Sequence, residues 1–439
     1  MIKEKNRLYR QFEHGKILID IADSVFSCLQ PERLMADQIS HQGQYLIVQG
    51  KKFNLKKFQH VYVVGAGKAT YGMAKSLSKI LGSKITAGYL NVPVAYTKSI
   101  GKIKVNQAGH PYPDNAGFKG SKEILKIVKS AQPDDLVICL ISGGGSAMLP
   151  LPVAGLTLQE KVSITERLMK KSADIIELNA VRKHLSAIKG GQLAEAAAPA
   201  TVVSLIISDV LGDKLDVIAS GPTVADSSTS KEALEVLHRY KVGSQKIKKL
   251  IQDNETLKQL SETRVHNFIV GNNQRALEEV EKHAKKAGLN TMVLTSSIKG
   301  EAKEVAQVLT AIAQEINDYN RPLKTPALLI AGGETTVTVL GNGQGGRNQE
   351  LVLAAVPLMN SEMSIISLAT DGVDGITPEP VAGAIADGGV AQQCVIEDVN
   401  YHDYLYSNDS FNCLKKLGCL LHTGPTGTNV GDVILVLIT

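Results

Sequence analysis

The strongest constraint on this chain is a recurring pattern: six apolar, β-branched runs each break off in Gly, Ser, Asp, Asn or Glu. They are VVGAGKA from Val63, LISGGGSA from Leu140, LIISDVLGD from Leu205, FIVGNNQ from Phe268, LIAGGETTVTV from Leu329 and LATDGVDG from Leu368. Short apolar runs alternating with helical patterns predict an α/β fold with a largely parallel sheet. In open parallel sheets ligands bind beyond the carboxyl ends of the strands, where these polar residues fall. Gly and Asp also make ordinary turns and helix caps. Six such endings in series favour an extended ligand cleft.

The expected strands are His60–Val64, Asp135–Ile141, Thr201–Ser208, His266–Val270, Thr291–Thr295, Pro326–Ala331, Ser364–Ala369 and Asp432–Thr439. Helical patterns cover Gly67–Leu81, Leu158–Ser172 and Asn273–Ala287. A length of 439 residues suits two domains. The charged, strand-free stretch Lys231–Thr263 marks the expected boundary: domain one at 1–240, a helical connector at 241–264 and domain two at 265–439.

Composition then removes several functions. A net charge of +5 with no run of basic residues argues against nucleic-acid binding. The absence of Trp and an aromatic fraction of 4% argue against base or sugar stacking. Five cysteines without ligand spacing read as buried apolar residues in a reducing, cytoplasmic setting. No apolar run reaches the ~20 residues of a membrane helix, and Asp20 and Asp23 interrupt the amphipathic stretch Ile17–Leu29.

The chemistry is concentrated in the loops. VYVVGAGKATYG imitates a dinucleotide fingerprint through Gly65 and Gly67, but Thr70 replaces the third glycine. Its distinctive residue is Lys68, at a helix start whose amides favour anions. SGGGSA supplies Gly143, Gly144 and Gly145 for an anion nest, with Ser142 and Ser146 as hydroxyls on its rim. Arg182 and Lys189, seven apart in a helical pattern, predict two cations near one helix face. Asp209 at a strand end suits a Mg²⁺ ligand or a proton acceptor. In GGETTVTVLGNGQGGRNQE, TTVTVL reads as a strand, and the following glycines deliver Arg347 to a helix start, where it could hold a phosphate. Asp371 and Asp374 are candidate acidic ligands, and His110 a candidate anion contact.

These segments, together with AGHPYPD, LSAIKGGQLA, SDVLGDKLDVIASGPT and GPTGTNV, resemble in order the glycerate kinases that carry a MOFRL domain. One departure is ITPEPVAGAIADG, where that family has a Pro-Thr-Asp-Ala-Ala-like run. The resemblance implies a Rossmann-like N-terminal domain with a doubly wound parallel sheet, a smaller C-terminal α/β domain containing the MOFRL region at about 325–433, and an active site in the cleft between them. It implies ATP-dependent phosphorylation of D-glycerate, at the 2-hydroxyl in bacterial and archaeal types, with Mg²⁺. Lys68 and Arg347 fall on the family's functional lysine and arginine, with Asp209 as the third catalytic candidate.

Under that reading the substrate contacts are Ser142, Gly143, Gly144, Gly145, Ser146, His110, Arg182 and Lys189. The nucleotide contacts are Gly65, Gly67, Gly333, Glu334, Gly345, Gly346 and Asn348, and the metal ligands Asp209 and Asp371. Expected partners are D-glycerate and a nucleotide, with no nucleic acid or membrane, for a monomer or homodimer. The alternatives are an NAD(P)-dependent hydroxypyruvate reductase, a glycerate 3-kinase, or a small-acid sensor without turnover.

Overall fold

The computed structural model describes residues 1–12 and 14–439, which divide into two units, Pro31–Gly271 and Met1–Gln30 with Asn272–Thr439. In the first unit an antiparallel ribbon of β1 (Ile39–Gln42), β2 (Tyr45–Val48) and β3 (Lys51–Asn54) precedes the main sheet. That sheet contains β4 (His60–Ala66), β5 (Ala87–Val92), β6 (Ile103–Gln107), β7 (Asp135–Ile141), β8 (Thr201–Ile207) and β9 (Val265–Gly271). All neighbours pair parallel, in the order β6-β5-β4-β7-β8-β9. The chain works outward from β4 to one edge and then from β7 to the other, so the order reverses between β4 and β7. That reversal is the crevice where doubly wound sheets bind ligands.

Every residue of β7 is buried, as is every residue of β8 after the first. This is the reason their sequences read as unbroken apolar runs instead of alternating ones. Two further helices shape the site. Leu158–Met169 and Ile175–His184 each start at a capping box, Thr157 with Glu160 and Asp174 with Glu177. Ile164 and Leu168 on one helix and Leu178 and Val181 on the other join an apolar cluster with Ala233, Val236 and Leu237. The neighbouring stripe of the first helix is left to face a cavity.

The second unit has a mixed sheet of β10 (Asn290–Ile298), β11 (Ala327–Gly333), β12 (Met363–Ala369), β13 (Gly383–Asp387), β14 (Leu420–Leu421) and β15 (Asp432–Ile438). Their order is β10-β11-β15-β12-β13-β14, and only β10 and β11 pair parallel. The expectation of a largely parallel sheet therefore holds for the first unit and not the second. A strand buried on both faces is apolar throughout whichever way it runs, so direction left no mark in the sequence.

Two other expectations change. The His266–Val270 strand, assigned to the start of domain two, is the core of β9 and pairs with β8 as the last strand of the first sheet. The expected connector 241–264 lies inside that unit, while the helix Gly15–Cys28 belongs with the second. TTVTVL is not a strand. Thr336 makes one bridge to Glu301, and Val339 and Leu340 are exposed. The Glu301 carboxylate takes the Thr338 hydroxyl at 2.8 Å and its N–H at 3.0 Å, so a side chain stands in for a partner strand.

Candidate active site

The loops after β4 and β7 are laced together at the switch point. The Lys68 N–H donates to the Gly143 carbonyl at 2.8 Å and the Ala69 N–H to Ser142 Oγ at 3.0 Å. Thr70, standing where a dinucleotide fingerprint needs glycine, is buried with its hydroxyl 3.3 Å from Ser142 Oγ. The first amides of the Lys68 loop and the Ser142 hydroxyl are thus spent on loop packing. Gly67 is likewise required by the close approach of Ser142, and Gly65 sits buried within β4 against Leu140.

The turn itself gathers the predicted chemistry. Gly144 is left-handed, with φ +80°, and a Cβ there would lie 2.8 Å from the His110 ring and 3.5 Å from Lys68 Cγ. A Cβ on Gly143 would strike the Asp209 carboxylate. Lys68, His110 and Asp209, from the ends of three strands, thus surround one glycine turn. The Gly145 amide is committed to the Ser142 carbonyl at 3.1 Å, which narrows the expected anion nest to its first two glycines.

Beside this turn opens a cavity of about 580 Å³ lined by His110, Gly144, Ser146, Lys161, Arg182 and Lys189, among others. Arg182 and Lys189 meet there, although not on one helix face: the helix ends at His184 and Lys189 follows in a turn. Lys189 Nζ donates to Ser146 O at 2.9 Å and lies 3.2 Å from Ser146 Oγ. Ser146 Oγ in turn contacts Ser220 Oγ at 2.9 Å. Burial, and then the charges of Lys161 and Arg182, push the Lys189 amine well below the ordinary lysine range. The same two effects, burial and then Arg182, bring Lys161 down to about 7.

In the second unit Arg347 does open a helix, Arg347–Ala355. Its Nε and Nη2 donate to both oxygens of Asp432 at 2.5 and 2.9 Å, and Nη1 lies 3.1 Å from Glu334. Burial works against the guanidinium charge, but the bond to Asp432 more than offsets it, so Arg347 is held above its ordinary range. Burial drives Asp432 up to about 6 in spite of Arg347.

The glycines before Arg347 do not face open space. Cβ atoms on Gly341, Gly343 and Gly345 would strike Ser407, Asp409 and Ser410, and one on Gly346 would strike Asp374. Asn348, expected at a nucleotide, is buried and bonded to Asp374 and Ser367. Gly333 closes β11 against Ile298. Asp374 caps the Arg347 helix, accepting the Asn348 and Gln349 amides at 3.1 and 2.9 Å, and Asp371 accepts the Val373 amide at 3.1 Å. Among the described residues no group of three or more His, Cys, Asp or Glu could hold a metal.

Sequence reasoning passed over Lys161 and Asp432. Both left a signal. Lys161 shares a helical stripe with Leu158, Val162, Thr165 and Met169, where a lysine is out of place unless it has a task. Asp432 is the one charged residue of a wholly buried strand.

A doubly wound sheet that presents a lysine, a carboxylate and a glycine turn at its switch point, with buried cations alongside, defines an α/β enzyme of anionic ligands. Residues 327–432 match the MOFRL family, and residues 17–252 match a domain of unknown function, DUF4147. A D-glycerate 2-kinase of Thermotoga maritima is 43% identical over 427 residues, 96% of this chain and 98% of that one. A glycerate 2-kinase of Pyrococcus horikoshii is 37% identical, covering 97% of each chain. A protein of Agrobacterium vitis described as a putative hydroxypyruvate reductase is 38% identical over 86% of each. The crystal structure of a glycerate kinase from Thermotoga maritima matches with a TM-score of 0.88 at 41% identity, over 97% of this chain and 99% of that one. The chain belongs to the MOFRL-domain glycerate kinase family.

Proposed function

We propose that the protein transfers the γ-phosphoryl group of ATP to the 2-hydroxyl of D-glycerate, giving 2-phospho-D-glycerate and ADP. The observation that carries this reading is the convergence of Lys68 and Asp209 on the Gly143–Gly144 turn. Phosphoryl transfer asks a protein for positioning and for cations aimed at spreading charge more than for covalent chemistry. Lys68 neutralises the transferring group, and Asp209 takes the proton of the attacking hydroxyl or holds Mg²⁺. Arg347, fixed in its rotamer by Asp432, is a second cation whose chemistry suits a phosphate. The turn and His110 receive an anion, the glycerate carboxylate or a nucleotide phosphate.

Mg²⁺ usually binds through one or two carboxylates plus substrate phosphates, not in an all-protein cage. A single carboxylate at a strand end, as in Asp209, fits that habit. Asp209 would hold the ion together with the nucleotide, and the ion would supply neutralisation of phosphate charge. A reducing, cytoplasmic setting fits five cysteines that are all buried. No helix among the described residues is long and apolar enough to cross a membrane. We place the protein there as a monomer or homodimer.

A coupled assay tests the reaction: ADP must appear only when ATP and D-glycerate are both present. Phosphorus NMR of the product must give the 2-phosphoglycerate signal; the 3-phospho signal would move the acceptor hydroxyl. NADH oxidation with hydroxypyruvate and no ATP would instead align the chain with the reductase named among its relatives.

A further inference from the structure

The first unit treats its buried cations in two ways. Lys183 is neutralised by the protein: its amine lies 3.2 Å from Asp216 and 3.0 Å from Asp226. Lys161, Arg182 and Lys189 have no carboxylate partner among the described residues. Lys161 reaches only the Leu151 carbonyl at 3.3 Å, Arg182 the Met169 sulfur at 3.8 Å, and Lys189 the oxygens of Ser146 and Ala219. Lys161 and Lys189 are 6% and 1% exposed, so water does not substitute for the missing counter-charge. An unpaired buried cation is costly, and two of them lining one cavity with the half-buried Arg182 imply a counter-ion that arrives from outside.

Two observations at the same place agree. Asn179 Nδ2, joined to Ser146 through Ser220, is a buried donor without an acceptor. Ala219 and Ser220 hold left-handed backbone at φ +49° and +60° beside the Lys189 amine, and such strain gathers at ligand clamps.

Charge and size then select the ligand. One carboxylate cannot balance three cations, whereas a polyphosphate can. About 580 Å³ is in the ~300–1,000 Å³ range of sites for cofactor-sized ligands, and three-carbon glycerate would leave most of it empty. The cavity also has apolar lining, with Leu158, Val162 and Met169 from the helix that carries Lys161, and with Pro111 and Pro113. Glycerate has no apolar face to meet such a wall, and a purine base has two. We propose that this cavity is the nucleotide subsite, with Lys161, Arg182 and Lys189 holding the polyphosphate and the Leu158–Val162–Met169 face receiving the base. The assignment rests on the kinase reading and leaves glycerate to the Lys68–His110 side of the turn. Lys161 is a positioning residue here: it fixes phosphates and touches no reacting atom.

The test is calorimetric titration of MgADP without glycerate, alongside KM for ATP and for D-glycerate. Lys161→Met raises both the ADP Kd and the ATP KM about tenfold, ~1.4 kcal/mol, while the glycerate KM stays within about twofold. Lys161→Arg restores most of the ADP affinity. Val162→Ser, which removes apolar contact without adding charge, weakens ADP but not inorganic tripolyphosphate, which separates base from phosphate contacts and serves if Lys161→Met does not fold. A raised glycerate KM with unchanged ADP affinity overturns the proposal and makes the cavity the glycerate seat. Wild-type protein that binds ADP but never phosphorylates glycerate sinks the kinase reading and leaves the subsite standing.

Discussion

The two glycine-rich loops, SGGGSA and GNGQGG, have similar composition and opposite uses. In the first, Gly144 opens onto a cavity, and only side chains with chemistry, His110 and Lys68, stand where its Cβ would be. In the second, the space is already filled by the chain's own turn at Ser407–Ser410. Asn408 Oδ1 accepts the Leu340 and Gly341 amides, and Asp409 Oδ1 accepts that of Gln344. Glycine is needed in both because something must come close. Whether that is a ligand or a neighbouring loop is invisible in the loop itself.

Substitutions can break this comparison. The largest effect should come from the two cations. Lys68→Ala, beside the open loop, should lower kcat by ~10²–10³-fold, ~2.7–4 kcal/mol of transition-state stabilisation, with melting nearly unchanged. Arg347→Ala should cost activity and also ~3–5 kcal/mol of stability, because it strands the buried Asp432 carboxylate. Near wild-type turnover in either variant would remove that residue from the mechanism.

Next come the glycines themselves. Gly346→Ala must push Asp374 off the amides it caps, and overpacking of this kind costs ~1–3 kcal/mol. Denaturant midpoints should show that loss at any substrate concentration. Gly144→Ala should cost ~1 kcal/mol for its left-handed backbone and show mainly in turnover, through the displaced His110 ring. Equal stability losses in the two variants, with activity untouched, would erase the distinction.

Smaller effects should appear in pH profiles, with opposite signs. The folded pKa of Asp432 is raised to about 6 from 3.8. Its contribution to stability is therefore present below pH ~4 and lost as pH rises through 6. The advantage of wild type over Asp432→Asn should shrink across that window. Lys161 is depressed from 10.5 to about 7. Between those values the unfolded chain binds the proton that the folded one has released, so stability at this site rises with pH. Without ligand, wild-type Tm should gain on Lys161→Met from pH 7 to 10, at ~2–4 °C per kcal/mol. A gain that persists unchanged in Lys161→Met would assign the titration to another group.

Much of the fold was legible because burial writes itself into strands. β7 and β8 are apolar end to end, and the polar residues that follow them are where a doubly wound sheet binds ligands. Lys68 and Asp209 stand out in the sequence because each follows an apolar strand directly, and Arg182 and Lys189 because they lie seven apart in a helical pattern. The same logic overread TTVTVL, whose alternation looks like a strand but whose partner is the Glu301 carboxylate. Asn348 and Asp374, which look like ligand contacts in the sequence, are engaged within the fold: Asp374 accepts from Asn348 and Gln349, and Asn348 Oδ1 accepts from Ser367.

The sequence by itself determined the buried central strands such as β4, β7, β8 and β15, the loops that end them and the family, because burial, turn chemistry and motif order are local properties. Tertiary structure decided three things that are not local. It set the direction of the strands beside β15 and moved β9 into the first sheet, since pairing partners lie far apart in the chain. It also decided which buried cations meet a carboxylate and which do not. Lys183 and Lys189 are six positions apart, and only the first meets carboxylates, those of Asp216 and Asp226, while the second reaches the Ser146 carbonyl.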